Sequence, residues 1–150
     1  MSGRFRLGIV LRLREMAEET ARINLGHAVE AHQKALNAVQ AAQNRAGEEM
    51  RWLSDVQCSR PEAGELQSAV QAVAAAQRAI AAAQERLGRA SGALFEARRA
   101  LAEATRQREV VERLRDRFLA EERRQAERLD TLRMAEIAST QHALRAARNR

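Results

Sequence analysis

Large aliphatic residues recur every seven positions through the middle of the chain, and an alanine follows each of them three residues later. This alternation averages 3.5 residues per step, which holds one stripe of a helix against a partner helix. An alanine beneath each large side chain favours close approach of the two helices, and it also supports helicity. We therefore predict a long coiled-coil helix with the seam residues Leu66, Val73, Ile80, Leu87, Leu94 and Leu101.

The first third of the chain has a second apolar stripe, with a spacing near 3.6 residues. It predicts another amphipathic helix with alanine as the commonest seam residue. His32 fills the one gap in a stripe formed by Leu13, Ala17, Ala21, Leu25, Ala28, Ala35, Val39, Ala42, Ala46, Met50 and Leu53.

The seam of the second helix weakens beyond Leu101. Arg108 takes the next position that a large aliphatic residue would hold. The apolar stripe then shifts through Val111, Leu114 and Phe118 towards Leu129 and Leu132.

A single proline interrupts the two helical patterns. Ser59-Arg60-Pro61-Glu62 has the spacing of a capping box, with Pro61 in the first turn of the following helix. The fold class predicted is all-α, an antiparallel two-helix coiled-coil hairpin in one domain, 1–150. Its first helix covers about 5–56, its turn about 57–60 and its second helix about 61–146. The longer second helix extends beyond the first from about residue 114, and Gly26 is expected opposite Gly92 at a bend or close crossing.

The composition agrees with long helices and lacks the bulky residues of a globular core, with no tyrosine, three phenylalanines and one tryptophan. Cys58 is alone, which excludes an internal disulfide and fits a reducing compartment. The longest aliphatic run, at 7–11, is too short for a membrane span or a signal peptide. A cytoplasmic location is expected.

The net charge of +6 lies at the two ends of the chain. Residues 1–15 hold four arginines and one acid, residues 112–150 hold ten arginines and seven acids, and 16–111 are neutral. Arginines interspersed with apolar residues on an extended helix predict a protein partner that supplies carboxylates.

No catalytic, cofactor-binding or metal-binding residues are predicted. The glycines are scattered singly, so no phosphate-binding loop is present. His27 and His32 are five residues apart and lie on different helix faces, and His142 is isolated. We expect a protein that is not an enzyme.

Two segments resemble the ends of the FliJ family of flagellar export proteins: 5–28, with the element Arg14-Glu15-Met16-Ala17-Glu18-Glu19, and 109–138, with Asp130 and Glu136-Ile137-Ala138. The resemblance implies a coiled coil similar to the rotary ATPase gamma subunit. It also implies a monomer at the inner-membrane export apparatus, whose tip enters the export ATPase ring and which contacts the export gate and substrate chaperones. The residues expected to face the ring are Arg12, Leu13, Arg14, Arg115, Arg117 and Phe118.

Two other functions stay open from the residues themselves. Apolar residues on the extension of the second helix would also suit a coiled-coil homodimeric scaffold. The basic ends, with the amphipathic segment 4–14, would suit nucleic acid or an anionic membrane, although acids are interleaved with these arginines. The sequence does not distinguish a flagellar system from a related secretion system.

Overall fold

The computed structural model describes residues 7–148, and two α-helices with no strand make up this part of the chain. Helix α1 spans Gly8–Cys58 and helix α2 spans Ala63–Arg148, with 51 and 86 residues. The predicted all-α class with a longer second helix is confirmed. Residues 5 and 6, where the first helix was expected to begin, lie outside the described residues. Neither described helix has a stretch long and apolar enough to cross a bilayer.

The turn between the helices differs from the predicted capping box. Ser59 Oγ donates to the carbonyl of Val56 at 2.9 Å, so the hydroxyl closes the end of α1 and does not cap α2. Arg60 adopts a positive φ of 56°, the left-handed conformation that commonly ends a helix. The Glu62 carbonyl accepts from the amides of Glu65 and Leu66, so Pro61 precedes the first turn of α2. The capping-box prediction was wrong because the Ser59 side chain bonds backwards along the chain.

The chain forms two compact units. Glu18–Ala104 forms one unit, the hairpin unit, which contains the turn. Met1–Ala17 and Thr105–Arg150 form the other, the terminal unit, which contains the predicted ring-facing residues. That the two units fold as one domain stays a prediction.

Alanines form the most deeply buried layer of the hairpin unit. Ala69 is fully buried and Ala83 is 3% exposed, whereas Leu66, Ile80 and Leu87 are half-buried. Complete burial of a large aliphatic side chain contributes about 1.5–3 kcal/mol, so these half-covered residues contribute less each. Of the predicted seam residues, Leu94 is buried and the others are half-buried, namely Leu66, Val73, Ile80, Leu87 and Leu101.

The covered stripe of α1 follows the same seven-residue repeat, and this corrects part of the predicted 3.6-residue stripe. Leu13 is 59% exposed, Met50 is 57% exposed and Ala17 is also exposed. Glu18, which follows Ala17, and Glu49, which precedes Met50, are covered instead. The central members of the stripe are half-buried as expected, from Ala21, Leu25, Ala28 and His32 to Ala35, Val39, Ala42, Ala46 and Leu53.

The expected close crossing at the glycines is absent. A Cβ atom added at Gly26, Gly88 or Gly92 would meet no atom within 4 Å. All three positions are exposed, so no close packing requires a glycine there. The prediction of a close crossing was wrong because these glycines lie off the seam, and a bend at these positions stays a prediction.

Candidate functional site

The terminal unit carries the basic excess of the chain, and its arginines are the candidate functional groups. Among its described residues, thirteen arginines stand against nine acids. Its buried apolar side chains are Leu11 on α1 and Val111 on α2. This small apolar centre contrasts with the number of charged side chains on the same helices.

The covered stripe of α2 continues into the terminal unit without a break in its repeat. Arg108, Arg115 and Glu122 hold the positions that large aliphatic residues hold in the hairpin unit, and all three are half-buried. Val111 and Phe118 hold the positions that correspond to alanine. Leu114, where the stripe was predicted to shift, is 43% exposed. The seven-residue repeat therefore continues at the same positions here, but the large aliphatic side chains are replaced by charged ones.

Side-chain bonds satisfy part of this polar seam. Arg108 forms a half-buried ion pair with Glu112, one helical turn away. Arg14 of α1 donates to Gln107 Oε1 of α2 at 2.5 Å, a polar contact between the two helices of this unit. A half-buried charge requires such partners because it loses part of its hydration. These contacts are specific, but each stabilises less than a packed aliphatic layer.

Sequence reasoning singled out Arg14 and Arg108 but missed the roles of Gln107 and Glu112. Gln107 precedes a seam position and Glu112 follows Arg108 by four residues, the spacing of a helical ion pair. That spacing was a usable signal for Glu112. Nothing in the sequence pairs Arg14 with Gln107, because their meeting depends on how α1 and α2 are aligned.

The six predicted ring-facing residues all belong to the terminal unit, but they do not share one face. Residues two apart on a helix point about 200° apart, since each residue turns the helix by about 100°. Arg117 is accordingly exposed while Arg115 is half-buried, and Arg115 pairs with Asp116 at 3.3 Å. Phe118 is half-buried, and Arg12 and Leu13 are exposed. Their role in binding a partner stays a prediction.

An exposed apolar stripe follows the start of α1. Ile9, Leu13 and Met16 are spaced at i, i+4 and i+7, which aligns them on one face. Ile9 is 75% exposed and Met16 is also largely exposed. Arg12 and Glu15 lie beside them and are exposed as well. This face therefore combines apolar and charged side chains that are exposed.

The last part of α2 is exposed throughout. Every described residue of 123–148 is exposed, including Leu129, Leu132 and Ile137. An open groove of about 510 Å³ runs along this helix and is lined by Arg124, Glu127, Arg128, Thr131 and Leu132. Ion pairs of Arg124 with Glu121 and of Arg133 with Asp130 support the helix locally. An apolar side chain flanked by arginines is suited to bind an acidic, amphipathic surface.

Clusters of side chains that could bind a metal were sought among the described residues of both helices. No group of three or more His, Cys, Asp or Glu side chains among residues 7–148 could hold a metal ion. Cys58 is an exposed free thiol beside the turn. The arrangement of the terminal unit supports binding by charge and shape.

The comparisons with known proteins agree with the resemblance seen in the sequence. A family model described as the flagellar FliJ protein matches residues 3–147, nearly the whole chain. Neither the comparison with curated proteins nor the one with solved structures gave a match. Because the family match covers both helices and the turn, the chain belongs to the FliJ family of flagellar export components.

Proposed function

We propose that this chain is a non-enzymatic stalk of the flagellar type III export apparatus that couples ATP hydrolysis by the export ATPase to protein export. The terminal unit would insert into the pore of the ATPase ring. The protein would act as a cytoplasmic monomer, peripherally associated with the inner-membrane export apparatus. The observation that carries the proposal is the wholly exposed helix 123–148, with its arginines beside Leu129 and Leu132.

The electrostatics of the terminal unit support this role. Its basic excess would attract a ring pore lined by carboxylates, and arginine pairs with carboxylates through two parallel hydrogen bonds. The hairpin unit, with ten basic and eleven acidic residues, has no such excess. A partner that is selected by positive charge should therefore prefer the terminal unit.

The proposed coupling depends on unequal contact with the ring subunits. Two helices cannot match the symmetry of a ring, so at any moment different subunits would face different charges. A subunit whose carboxylates pair with Arg117 or Arg12 would be stabilised in one conformation relative to its neighbours. The half-buried pair Arg108–Glu112 would hold the position of these groups on the stalk.

The hairpin unit is left for further partners in this proposal. An export gate and substrate chaperones would contact its exposed surface while the terminal unit stays in the ring. Exposed apolar side chains of this unit that such partners could cover include Val70 and Phe95.

A stimulation assay with the purified export ATPase tests the ring contact. Addition of the wild-type chain should raise the rate of ATP hydrolysis. The double variant Arg115→Glu/Arg117→Glu should abolish that increase, because two cations become anions opposite the carboxylates of the pore. Arg117→Glu alone should have most of the effect, since Arg117 is exposed while Arg115 is half-buried beside Asp116.

A matched control is available in the hairpin unit. Arg98 and Arg99 are both exposed, so the variant Arg98→Glu/Arg99→Glu changes the net charge by the same amount away from the terminal unit. It should stimulate the ATPase as the wild type does. If the Arg115/Arg117 variant also keeps full stimulation, the assignment of the terminal unit to the ring is wrong.

A homodimeric coiled-coil scaffold is the second candidate function. The repeat of the α2 seam continues beyond Glu122 to Leu129 and Leu132, so two copies of 123–148 could pair along this stripe. Light scattering over a range of concentrations separates the two candidates. A monomer throughout favours the stalk, and a dimer that Leu129→Glu dissociates favours the scaffold.

A further inference from the structure

A groove of about 610 Å³ lies at the turn of the hairpin unit, far along the chain from the arginines of the proposed ring contact. We call it the turn groove. It is lined by Trp52 and Val56 of α1, by Glu62 in the turn, and by Glu65 and Ser68 of α2, among others. An indole ring and an aliphatic side chain therefore share this groove with two glutamates.

The turn itself fixes the shape of this groove. Ser59 closes the last turn of α1 through the Val56 carbonyl, and Glu62 accepts the first backbone bonds of α2. The two helix ends are thus joined by a short segment, residues 59–62. Trp52, Val56, Glu65 and Ser68 lie on helices, which hold side chains more rigidly than a long loop would.

The electrostatics of the segment around the turn are opposite to those of the terminal unit. Residues 48–65 contain five acids and two arginines. Neither Glu62 nor Glu65 forms an ion pair with any residue that the structure describes, whereas Glu85, elsewhere in the same unit, pairs with Arg89. The carboxylates of the turn groove are available to a cation supplied from outside.

We propose that the turn groove binds an arginine side chain from a basic segment of a partner protein. The guanidinium would stack on the Trp52 indole and donate to the carboxylates of Glu62 and Glu65. The methylene groups of the same side chain would cover Val56. Arginine fits better than lysine because its planar group can both stack and form paired hydrogen bonds. Nucleic acid and anionic lipid are repelled by the same carboxylates.

The inference does not rest on the proposed stalk function, because the groove and the ring contact lie in different units. A partner bound at the turn groove would be basic, whereas the proposed ring contact requires an acidic partner. The chain would then bind acidic surfaces through its terminal unit and basic segments through its turn.

Fluorescence of the full-length chain provides a direct test, because Trp52 is its only tryptophan. The probe is an acetylated and amidated alanine-glutamine peptide of twelve residues with two arginines four positions apart. A matched probe carries citrulline in place of both arginines, which keeps the shape and removes the charge. The arginine probe should change the Trp52 emission saturably, and the citrulline probe should bind at least about tenfold more weakly.

Variants of the two carboxylates locate the site. Glu62→Gln/Glu65→Gln should weaken binding of the arginine probe by about tenfold or more. Trp52→Leu, followed by calorimetry since its fluorescence is lost, should also weaken binding. The control is Glu96→Gln, an exposed acid of the same unit, which should leave binding unchanged. Circular dichroism at 222 nm should show that all variants keep the wild-type helix content.

Three results would overturn the inference. Equal binding of the arginine and citrulline probes would remove the role of charge, and an equal loss in Glu96→Gln would reduce it to net charge alone. Self-association that Glu62→Gln/Glu65→Gln abolishes would make a second copy of the chain the occupant. Stimulation of the ATPase by the Glu62→Gln/Glu65→Gln variant should equal that of the wild type, which separates a failure here from a failure of the stalk proposal.

Discussion

The hairpin unit and the terminal unit use the same seven-residue repeat on α2 with different chemistry. In the hairpin unit the covered positions are alanines beneath large aliphatic residues, as at Ala76 and Ile80. In the terminal unit Arg108 and Arg115 hold the equivalent large positions, and the described residues beyond Glu122, 123–148, are exposed. An apolar seam between two helices stabilises them strongly, whereas a polar seam mainly specifies the register of one helix against the other.

This difference suggests that the hairpin unit mainly stabilises the fold and that the terminal unit mainly provides a binding surface. Apolar burial in the hairpin unit would provide most of the folding free energy. The terminal unit buries less of its surface in internal packing, so its arginines and leucines stay accessible. Substitutions in the two units test this difference.

The largest effect is expected from a charge in the alanine layer of the hairpin unit. Ala76→Glu would place a carboxylate at a position that is 6% exposed, and we expect a loss of about 3 kcal/mol or more in the free energy of unfolding. Chemical denaturation followed by circular dichroism measures it. The control Ala82→Glu is exposed, with Arg78 and Arg86 four residues away on either side. It should change stability by less than about 0.5 kcal/mol. Equal effects at both positions would contradict the buried alanine layer.

An intermediate effect is expected from the same truncation in each unit. Leu94→Ala should cost about 2–3 kcal/mol because Leu94 is buried in the hairpin unit. Leu132→Ala should cost less than about 0.5 kcal/mol, since this side chain is 66% exposed in the terminal unit. Thermal unfolding of both variants at one protein concentration compares them. A large loss for Leu132→Ala would mean that the end of α2 packs against a partner in solution.

The smallest effect is expected when the polar seam is made apolar. Arg108→Met/Glu112→Leu replaces a half-buried ion pair by aliphatic groups, which should raise the free energy of unfolding by about 1 kcal/mol. Urea denaturation measures the gain, and Arg113→Met/Glu109→Leu is the control at a more exposed ion pair. A loss of stability in the Arg108 variant would show that the ion pair stabilises the terminal unit more than apolar packing can.

The sequence predicted the helices better than their ends. The seven-residue spacing of Leu66, Val73 and Ile80 was sufficient for α2, because no other structure keeps such a stripe on one side. The turn was placed within a few residues by its proline. Its details were wrong because Ser59 had two backbone partners within reach, and the sequence does not rank them.

The errors on α1 have a geometric cause. A stripe with a spacing of 3.6 residues per helical turn drifts by about 20° per heptad from a stripe with a spacing of 3.5 residues. The prediction was accordingly right from Ala21 to Ala46 and one residue off at Ala17 and Met50, where Glu18 and Glu49 are covered instead. Only the presence of α2 fixes which of these neighbours turns inwards.

The amino-acid sequence by itself determined that two long helices form, that one is much longer, and that positive charge gathers at the chain ends. These properties follow from local propensity and from spacing along one chain. The tertiary structure decided which side chains are covered, that Arg14 meets Gln107, and that Trp52 and Glu62 line one groove. Such contacts depend on the alignment of one helix against the other, and that alignment is set by the packing of many residues at once.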